Sequence, residues 1–309
     1  MPVDPQIQTL INARAKLPTM HTLSVAAARI QMAARAIPGL RIPEIGSITN
    51  RDMQGPGGSL PLRIYTPNGN GPFPIMVFFH GSGFVVCDLD THDAMCRNLC
   101  VGTGSVVVSV DYRLAPEHKF PAAPDDCLAA TRWAVDNAGA LNGDTSRVTV
   151  AGDSAGGNLA AVTALRCRDE NGPALAGQLL IYPVTDYHTP GTPSYDENAE
   201  GYGLSRAGME WFWNHYLADA SDAAHPHASP LRANDLRGLP PAYVATAEYD
   251  PLRDEGEYYG KALQSAGVPT RIKRWDGANH GFFFFVGIVD KSGEAMDEAC
   301  AWVNETLAD

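Results

Sequence analysis

The sequence predicts an α/β fold in which a mostly parallel, eight-stranded sheet carries helices on both faces and a helical cap. Three observations lead to this prediction. Short β-rich segments alternate with helical ones along most of the chain, which is the pattern of strand–helix–strand units. Several of the β-rich segments, such as 77–79, 106–108 and 179–181, are apolar without interruption, as strands covered on both faces tend to be. A long segment at 187–238 interrupts the alternation, and insertions of that length usually serve a function.

Composition and charge exclude several classes of protein. With 45% hydrophobic and 19% charged residues among 309, the chain has the composition of a folded globular protein. Its 23 Lys and Arg against 35 Asp and Glu give a net charge of −12, which disfavours binding to nucleic acid or to anionic membranes. The longest apolar runs, at 73–79 and 282–289, are shorter than the roughly 18 residues that span a bilayer, so we expect no stable membrane insertion.

The N-terminus and the cysteines favour a cytoplasmic protein. Polar residues, among them Asp4, Gln6 and Gln8, interrupt the first 17 positions, where a signal peptide has an unbroken apolar core. The six cysteines form no Cys-x-x-Cys pair, so we expect reduced, mostly buried thiols. His225 and His227 flank a proline; they are spaced like metal ligands, but the pattern is more typical of a turn. We expect neither a metal nor a cofactor.

Two helices are predicted before the first strand. Asp4 is a suitable N-cap for a helix in which Ile7 and Ile11 share one face, and Pro18 would end it. A second helix is predicted over 22–37, ending before a Pro-Gly pair. Its small and apolar side chains lie on one stripe: Val25, Ala28, Met32, Ala33 and Ala36.

Eight strands and five further helices are then predicted in alternation. The strands are predicted at 44–51, 60–66, 74–79, 105–110, 147–151, 178–182, 242–247 and 270–275. The helices are predicted at 90–101, 123–138, 155–169, 254–266 and 291–307. No helix separates the first two strands, and the Gly-rich turn at 55–58 indicates an antiparallel hairpin at the edge of the sheet.

The interruption at 187–238 contains Pro/Gly-rich loops and an aromatic helix where a strand is due. We expect this segment and residues 1–42 to form a helical cap over the open edge of the sheet, with 43–186 and 239–309 as the α/β core. A helical decoration away from any site is the alternative. Six cap residues are candidates to line an apolar pocket: Met20, Leu23, Met32, Trp211, Phe212 and Trp213.

A serine lies in a turn of small residues directly after the predicted strand at 147–151. Gly152, Ser154 and Gly156 form a G-x-S-x-G motif between that strand and a helix, the context of a nucleophile elbow. A sharp, strained turn pushes the serine hydroxyl out of the sheet edge and leaves no room for side chains at the glycines. The motif therefore predicts a nucleophilic serine.

A second Gly-rich turn, at 80–84, follows the predicted strand at 74–79. Acyl transfer needs backbone N–H groups aimed at the carbonyl oxygen as that oxygen becomes negative. Hydrolases with the elbow motif keep part of this oxyanion hole in the turn at this position. The two motifs together predict acyl-transfer chemistry.

A serine nucleophile requires a base, and the base requires a carboxylate that orients it. His280 follows the last predicted strand, and Asp250 follows the strand at 242–247, so both lie at the carboxyl edge of the sheet. The order Ser154, Asp250, His280 is the order that hydrolases with this elbow use. Asp276 is the alternative carboxylate. His92 is expected at the surface or as a helix cap.

These motifs resemble those of the hormone-sensitive-lipase-like esterases, the bacterial family IV carboxylesterases of the α/β-hydrolase fold. Four blocks in the family's order carry the likeness: residues 80–84; 111–117 with 120–123; 152–157; and 250–254 with 280–282. The resemblance implies that Ser154 is the nucleophile, Asp250 the acid and His280 the base.

The resemblance also implies oxyanion donors from the backbone N–H groups of Ser82, Gly83 and Ala155. Ser82 departs from the family pattern, which has three consecutive glycines after the histidine. A serine keeps the N–H donor, and its Cβ narrows the acyl side of the site. We also expect four side chains to contact the substrate: Phe84, Asp153, Phe212 and Phe282.

The predicted function is hydrolysis of short- to medium-chain acyl esters, with a small-molecule ester as substrate and an acyl-enzyme as intermediate. An amidase or peptidase with the same triad is one alternative. A ligand-binding protein of the same fold that has no turnover is another. The family likeness makes a homodimer possible, although no sequence feature requires one.

Overall fold

The structure, a computed structural model, describes residues 2–34 and 37–308. Its centre is one sheet of eight strands in the order β1-β2-β4-β3-β5-β6-β7-β8. The strands are β1 Ser47–Gly55, β2 Gly58–Thr66, β3 Phe73–Phe79, β4 Val106–Val110, β5 Gly143–Asp153, β6 Gly177–Ile181, β7 Ala242–Tyr249 and β8 Thr270–Asn279. β3 to β8 run parallel, and β2 is antiparallel to both β1 and β4. The predicted fold class and the edge hairpin are confirmed.

Ten α-helices surround the sheet in the described part of the chain. They are α1 Pro5–Arg14, α2 Val25–Ala33, α3 Asp93–Thr103, α4 Ala122–Asp136, α5 Ala138–Leu141, α6 Ala155–Asp169, α7 Pro193–Glu197, α8 Arg206–Tyr216, α9 Arg253–Ser265 and α10 Asp290–Ala308. Short 3-10 turns lie at Met20–Thr22, Ala220–Ala224, Pro230–Arg232 and Phe282–Phe285.

The N-terminal helices begin where short polar side chains cap them. The Asp4 carboxylate accepts a hydrogen bond from the N–H of Gln6 at 2.9 Å, which places the start of α1 as the sequence predicts. The second helix is shorter than predicted because the Ser24 hydroxyl accepts the N–H of Ala27, so α2 begins after Ser24. The prediction for Arg35 and Ala36 lies outside the described residues.

The core forms two layers, one on each face of the sheet. Alternate β3 side chains divide between them: Ile75 and Val77 face α4, α6 and α9, whereas Met76 and Phe78 face α3 and α10. All six cysteines are buried and unpaired, as expected. Because both faces are covered, the apolar strands are held rigidly, and their carboxyl ends make a fixed edge for the site.

Candidate active site

The turn between β5 and α6 holds Ser154 in a strained backbone conformation, with φ 57° and ψ −118°. A Cβ on Gly156 would overlap the carbonyl oxygen of Phe79, and a Cβ on Gly152 would overlap that of Gly156. The close packing of β3, β5 and α6 therefore requires glycine at both positions. The same packing keeps Ser154 at the carboxyl edge of the sheet in a conformation that non-glycine residues rarely adopt.

Ser154, His280 and Asp250 form a continuous row of hydrogen bonds. His280 Nε2 lies 3.0 Å from Ser154 Oγ, and His280 Nδ1 lies 2.7 Å from Asp250 Oδ2. A carboxylate only accepts hydrogen bonds, so Nδ1 carries the proton and the Nε2 lone pair faces the serine hydroxyl. This arrangement can remove the proton of Ser154 as its oxygen attacks a carbonyl carbon.

Asp250 is fully buried and held from several directions. Its Oδ1 accepts the N–H of Leu252 at 2.9 Å, which leaves Oδ2 for the histidine. Across the row, the His280 ring lies against Tyr182, with 4.7 Å between ring centroids. Asp276, the alternative carboxylate, is exposed and lies 3.5 Å from Arg274 instead. The geometry therefore favours Asp250 as the partner of His280.

The turn after β3 lines the same cavity as Ser154. Ser82 has φ 102° and Gly83 has φ 63°. Within the described residues, the N–H groups of Ser82, Gly83 and Ala155 donate to no other backbone group. The Ser82 hydroxyl donates to the carbonyl of Val86, across the turn. A Cβ on Gly83 would overlap the ring of Phe212, so glycine alone fits there.

Asp153 holds the start of this turn. Its Oδ1 accepts the N–H of Gly81 at 2.9 Å, and His92 Nε2 lies 3.3 Å from the same oxygen. His92 is buried, so the expectation of a surface position is wrong. It precedes α3, as a cap would, but its ring points inward to a partner far away in sequence. No local pattern signals that contact.

His80 supports the turn from below. Its ring stacks on Tyr112 with 4.4 Å between centroids, and the Tyr112 hydroxyl donates to the His80 carbonyl at 2.7 Å. Burial is the main cause that lowers the pKa of His80 to about 4. The imidazole is therefore neutral near pH 7 and acts as a packing group under the turn after β3.

A cavity of about 170 Å³ lies in front of Ser154. Its catalytic wall consists of Ser154, His280 and the turn residues 81–83, with Val86, Cys87, His92, Asp153 and Phe284 beside them. The opposite wall comes from the N-terminal helices and the 187–238 segment: Arg14, Met20, Met32, Gly203, Leu204, Met209 and Phe212. The walls are mostly apolar, which suits an acyl chain or an alkyl alcohol.

Two of the four predicted substrate contacts do not line this cavity. Phe84 is buried and stacks on Tyr216 with 3.8 Å between ring centroids. Phe282 is also buried, against Tyr182 and Phe283. Both predictions are wrong, because burying a large aromatic ring in the core is more favourable than leaving it in a solvent-accessible pocket. Asp153 and Phe212 do line the cavity.

The cap candidates divide in the same way. Met20, Met32 and Phe212 line the cavity, whereas Leu23, Trp211 and Trp213 pack against the larger core layer. Sequence reasoning missed seven lining side chains: Arg14, Val86, Cys87, His92, Leu204, Met209 and Phe284. Helical spacing places such residues on an amphipathic face, but packing decides which of them meets the cavity.

The described residues contain no group of three or more His, Cys, Asp or Glu side chains arranged to hold a metal ion. Over the same part of the chain, no helix combines the length and apolar character needed to cross a bilayer.

A nucleophile elbow, a histidine and a buried carboxylate at the carboxyl edge of such a sheet define a serine hydrolase. A sequence model of a protein family with the alpha/beta hydrolase fold matches residues 76–284 of this chain. Carboxylic ester hydrolase LipN of Mycobacterium tuberculosis is 45% identical over 269 residues, covering 84% of this chain and 70% of that protein.

One further relative and one solved structure match this chain over nearly the full length of both proteins. Carboxylesterase NlhH of Mycobacterium tuberculosis is 39% identical over 312 residues, covering 99% of this chain and 96% of that protein. The solved structure of a hyperthermophilic esterase from Pyrobaculum calidifontis superposes with a TM-score of 0.93 at 40% identity, covering 99% of each chain. The chain belongs to the hormone-sensitive-lipase-like carboxylic ester hydrolases of the α/β-hydrolase fold.

Proposed function

We propose that the protein hydrolyses carboxylic esters of short- to medium-chain acids through an acyl-enzyme formed on Ser154. The observation that carries this proposal is the hydrogen-bonded row from Ser154 through His280 to the buried Asp250. The relatives named as esterases and carboxylesterases support the same chemistry, and none of them favours an amidase, a peptidase or a protein without turnover.

The first half of the reaction forms the acyl-enzyme. His280 Nε2 takes the proton of Ser154 Oγ as that oxygen bonds to the carbonyl carbon of the ester. The N–H groups of Ser82, Gly83 and Ala155 stabilise the negative carbonyl oxygen. Asp250 stabilises the imidazolium that forms. His280 then gives its proton to the departing alkoxide, which leaves as the alcohol.

The second half repeats these steps with water. His280 takes a proton from water as the water oxygen bonds to the acyl carbon. Collapse of this second intermediate breaks the bond to Ser154 Oγ, which regains a proton from His280. The carboxylic acid is released and the enzyme returns to its starting state.

The size of the cavity supports the proposed chain-length range. About 170 Å³ of space in front of Ser154 is bounded by Met20, Met32 and Phe212. These side chains leave room for a short acyl group and would have to move for a palmitoyl chain. Methionine adapts its shape readily, which allows a range of medium chains.

The remaining parts of the proposal concern organisation. We propose that 1–42 and 187–238 act as the cap and that 43–186 and 239–309 act as the catalytic core, because the two cap segments together supply the cavity wall opposite Ser154 and His280. We also propose a small-molecule ester as the only partner of the site and a cytoplasmic location. We also propose a homodimer, which only the family likeness supports.

A chain-length series of p-nitrophenyl esters, from acetyl to palmitoyl, tests the function. We expect the highest kcat/KM between the acetyl and octanoyl esters and weak turnover of the palmitoyl ester. Ser154→Ala should lower kcat on the order of 10⁶-fold. Ser265→Ala, which removes an exposed hydroxyl at the end of α9, is the matched control. Unchanged turnover in Ser154→Ala would overturn the proposal.

A further inference from the structure

Among the described residues, Arg14 differs from nearly all other arginines because it forms no ion pair with a carboxylate. Within residues 2–34 and 37–308, every arginine except Arg14 and Arg51 forms an ion pair with Asp or Glu. This pairing is expected in a chain with a net charge of −12, since acidic side chains are abundant. An arginine without such a partner therefore stands out.

The two unpaired arginines lie in different places. Arg51 is exposed on the edge strand β1, where water solvates its charge. Arg14 is at the end of α1 and lines the cavity that contains Ser154 and His280. Its charge faces a mostly apolar pocket, where a charged group is less well solvated than on an open surface.

The surroundings of Arg14 compensate its charge only in part. Its Cζ lies 5.1 Å from the centroid of the Phe285 ring, a favourable but modest cation–π contact. The guanidinium also lies beside Gly203, since a Cβ there would be 3.9 Å from Nη1. Neither neighbour is an anion, so the donors of the guanidinium are free to bind an anion that enters the cavity.

Arg14 lies on the His280 side of the cavity. The Asn279 side chain donates to the Tyr202 carbonyl at 2.7 Å, which holds the loop containing Gly203 against the histidine loop. His280 must protonate the departing alkoxide, so the alcohol part of the ester lies on this side. The acyl carbonyl faces the oxyanion turn instead.

We propose that Arg14 binds a carboxylate carried by the alcohol part of the substrate. The substrate class is then esters in which a short acyl group is attached to the hydroxyl of a hydroxy acid. A guanidinium and a carboxylate form paired hydrogen bonds of matched geometry, and the apolar walls around them would strengthen that attraction. The inference rests on the proposed esterase function of the same site.

A pH-stat assay with three esters of similar size tests whether Arg14 binds this carboxylate. Pentyl butyrate is neutral, the butyryl ester of γ-hydroxybutyrate carries a carboxylate on the alcohol side, and monopentyl succinate carries one on the acyl side. The readout is the ratio of kcat/KM for each anionic ester to that for pentyl butyrate. Turnover of pentyl butyrate reports the esterase function separately, so the two failures are distinguishable.

Arg14→Gln should lower the ratio for the γ-hydroxybutyrate ester by about tenfold, the loss expected for one charge-assisted pair. Arg14→Lys should keep part of the preference, because it retains the charge without the planar fork. Arg51→Gln removes the same charge on the distant hairpin and should leave the ratio unchanged. In the wild type, added salt should reduce the ratio, and in Arg14→Gln it should not.

Two results would overturn the inference. One is the same ratio for the γ-hydroxybutyrate ester in the wild type and in Arg14→Gln, which would mean that Arg14 only packs on Phe285. The other is a loss in Arg14→Gln that affects monopentyl succinate alone, because the carboxylate would then be bound on the acyl side.

Discussion

The two walls of the cavity are held in different ways. On the catalytic wall, hydrogen bonds hold the residues in place. His280 is hydrogen-bonded to both Ser154 and Asp250, and the Gly81 N–H donates to the Asp153 carboxylate. On the cap wall, the side chains are mostly apolar, and packing is the main interaction that places them. Changes to the catalytic wall should therefore reduce turnover of all esters alike, whereas changes to the cap wall should alter which ester is preferred.

After Ser154→Ala, the largest effect that we expect is that of Asp250→Asn, which acts on the catalytic wall through His280. An amide can hold His280 in the wrong tautomer, so kcat should fall on the order of 10³- to 10⁴-fold. The loss should be the same for the acetyl, butyryl and octanoyl p-nitrophenyl esters. Asp276→Asn, at the exposed alternative carboxylate, is the control and should keep kcat near that of the wild type. A loss confined to one chain length would break the contrast between the walls.

A smaller effect concerns pH and the support of the oxyanion turn. Burial lowers the pKa of His80 to about 4, below the usual value of about 6.5. As pH falls from about 6.5 to about 4, the unfolded chain binds a proton at this histidine that the folded protein does not bind. The free energy of unfolding therefore decreases. The contribution is complete above about pH 6.5 and decreases towards pH 4.

Urea unfolding near pH 7 and near pH 5 measures this contribution. From pH 7 to pH 5, we expect the protonation of His80 in the unfolded chain to lower the free energy of unfolding of the wild type by about 2 kcal/mol. In His80→Asn the free energy of unfolding should fall by about 2 kcal/mol less between the two pH values than in the wild type. His118→Asn, at an exposed histidine, should show the same decrease as the wild type. Equal losses in the wild type and in His80→Asn would contradict the burial argument.

The smallest effect is expected for Ser82→Gly. The change removes the hydrogen bond from the Ser82 hydroxyl to the Val86 carbonyl but keeps the backbone N–H and suits the φ of 102°. Steady-state kcat with p-nitrophenyl butyrate should stay within about tenfold of the wild type. A complete loss would show that the hydroxyl has a chemical role of its own.

The catalytic wall was more predictable from sequence than the cap wall, for a physical reason. Ser154, Asp250 and His280 follow strands, and the carboxyl ends of parallel strands meet at one edge, so strand placement brings them together. The central strands β3, β4 and β6 were recognisable because both of their faces are buried and their segments are mostly apolar.

Positions that depend on packing were not predictable in this way. Phe84 and Phe282 follow strand ends as the catalytic groups do, yet their rings turn into the core. His92 reaches Asp153 across a long separation in sequence. Arg14 looks like an ordinary basic residue at a helix end. Only the fold shows that it lines the cavity and forms no ion pair with any described carboxylate.

Covalent labelling with diethyl p-nitrophenyl phosphate tests the role of Ser154 most directly. Mass spectrometry of the intact wild-type protein should show the addition of one diethylphosphoryl group, with p-nitrophenol released in equal amount, and peptide mapping should place the group on Ser154. Ser154→Ala should remain unlabelled, and His280→Ala should react far more slowly. Labelling of Ser154→Ala at the wild-type rate, or of another residue in the wild type, would contradict the assignment of Ser154 as the nucleophile.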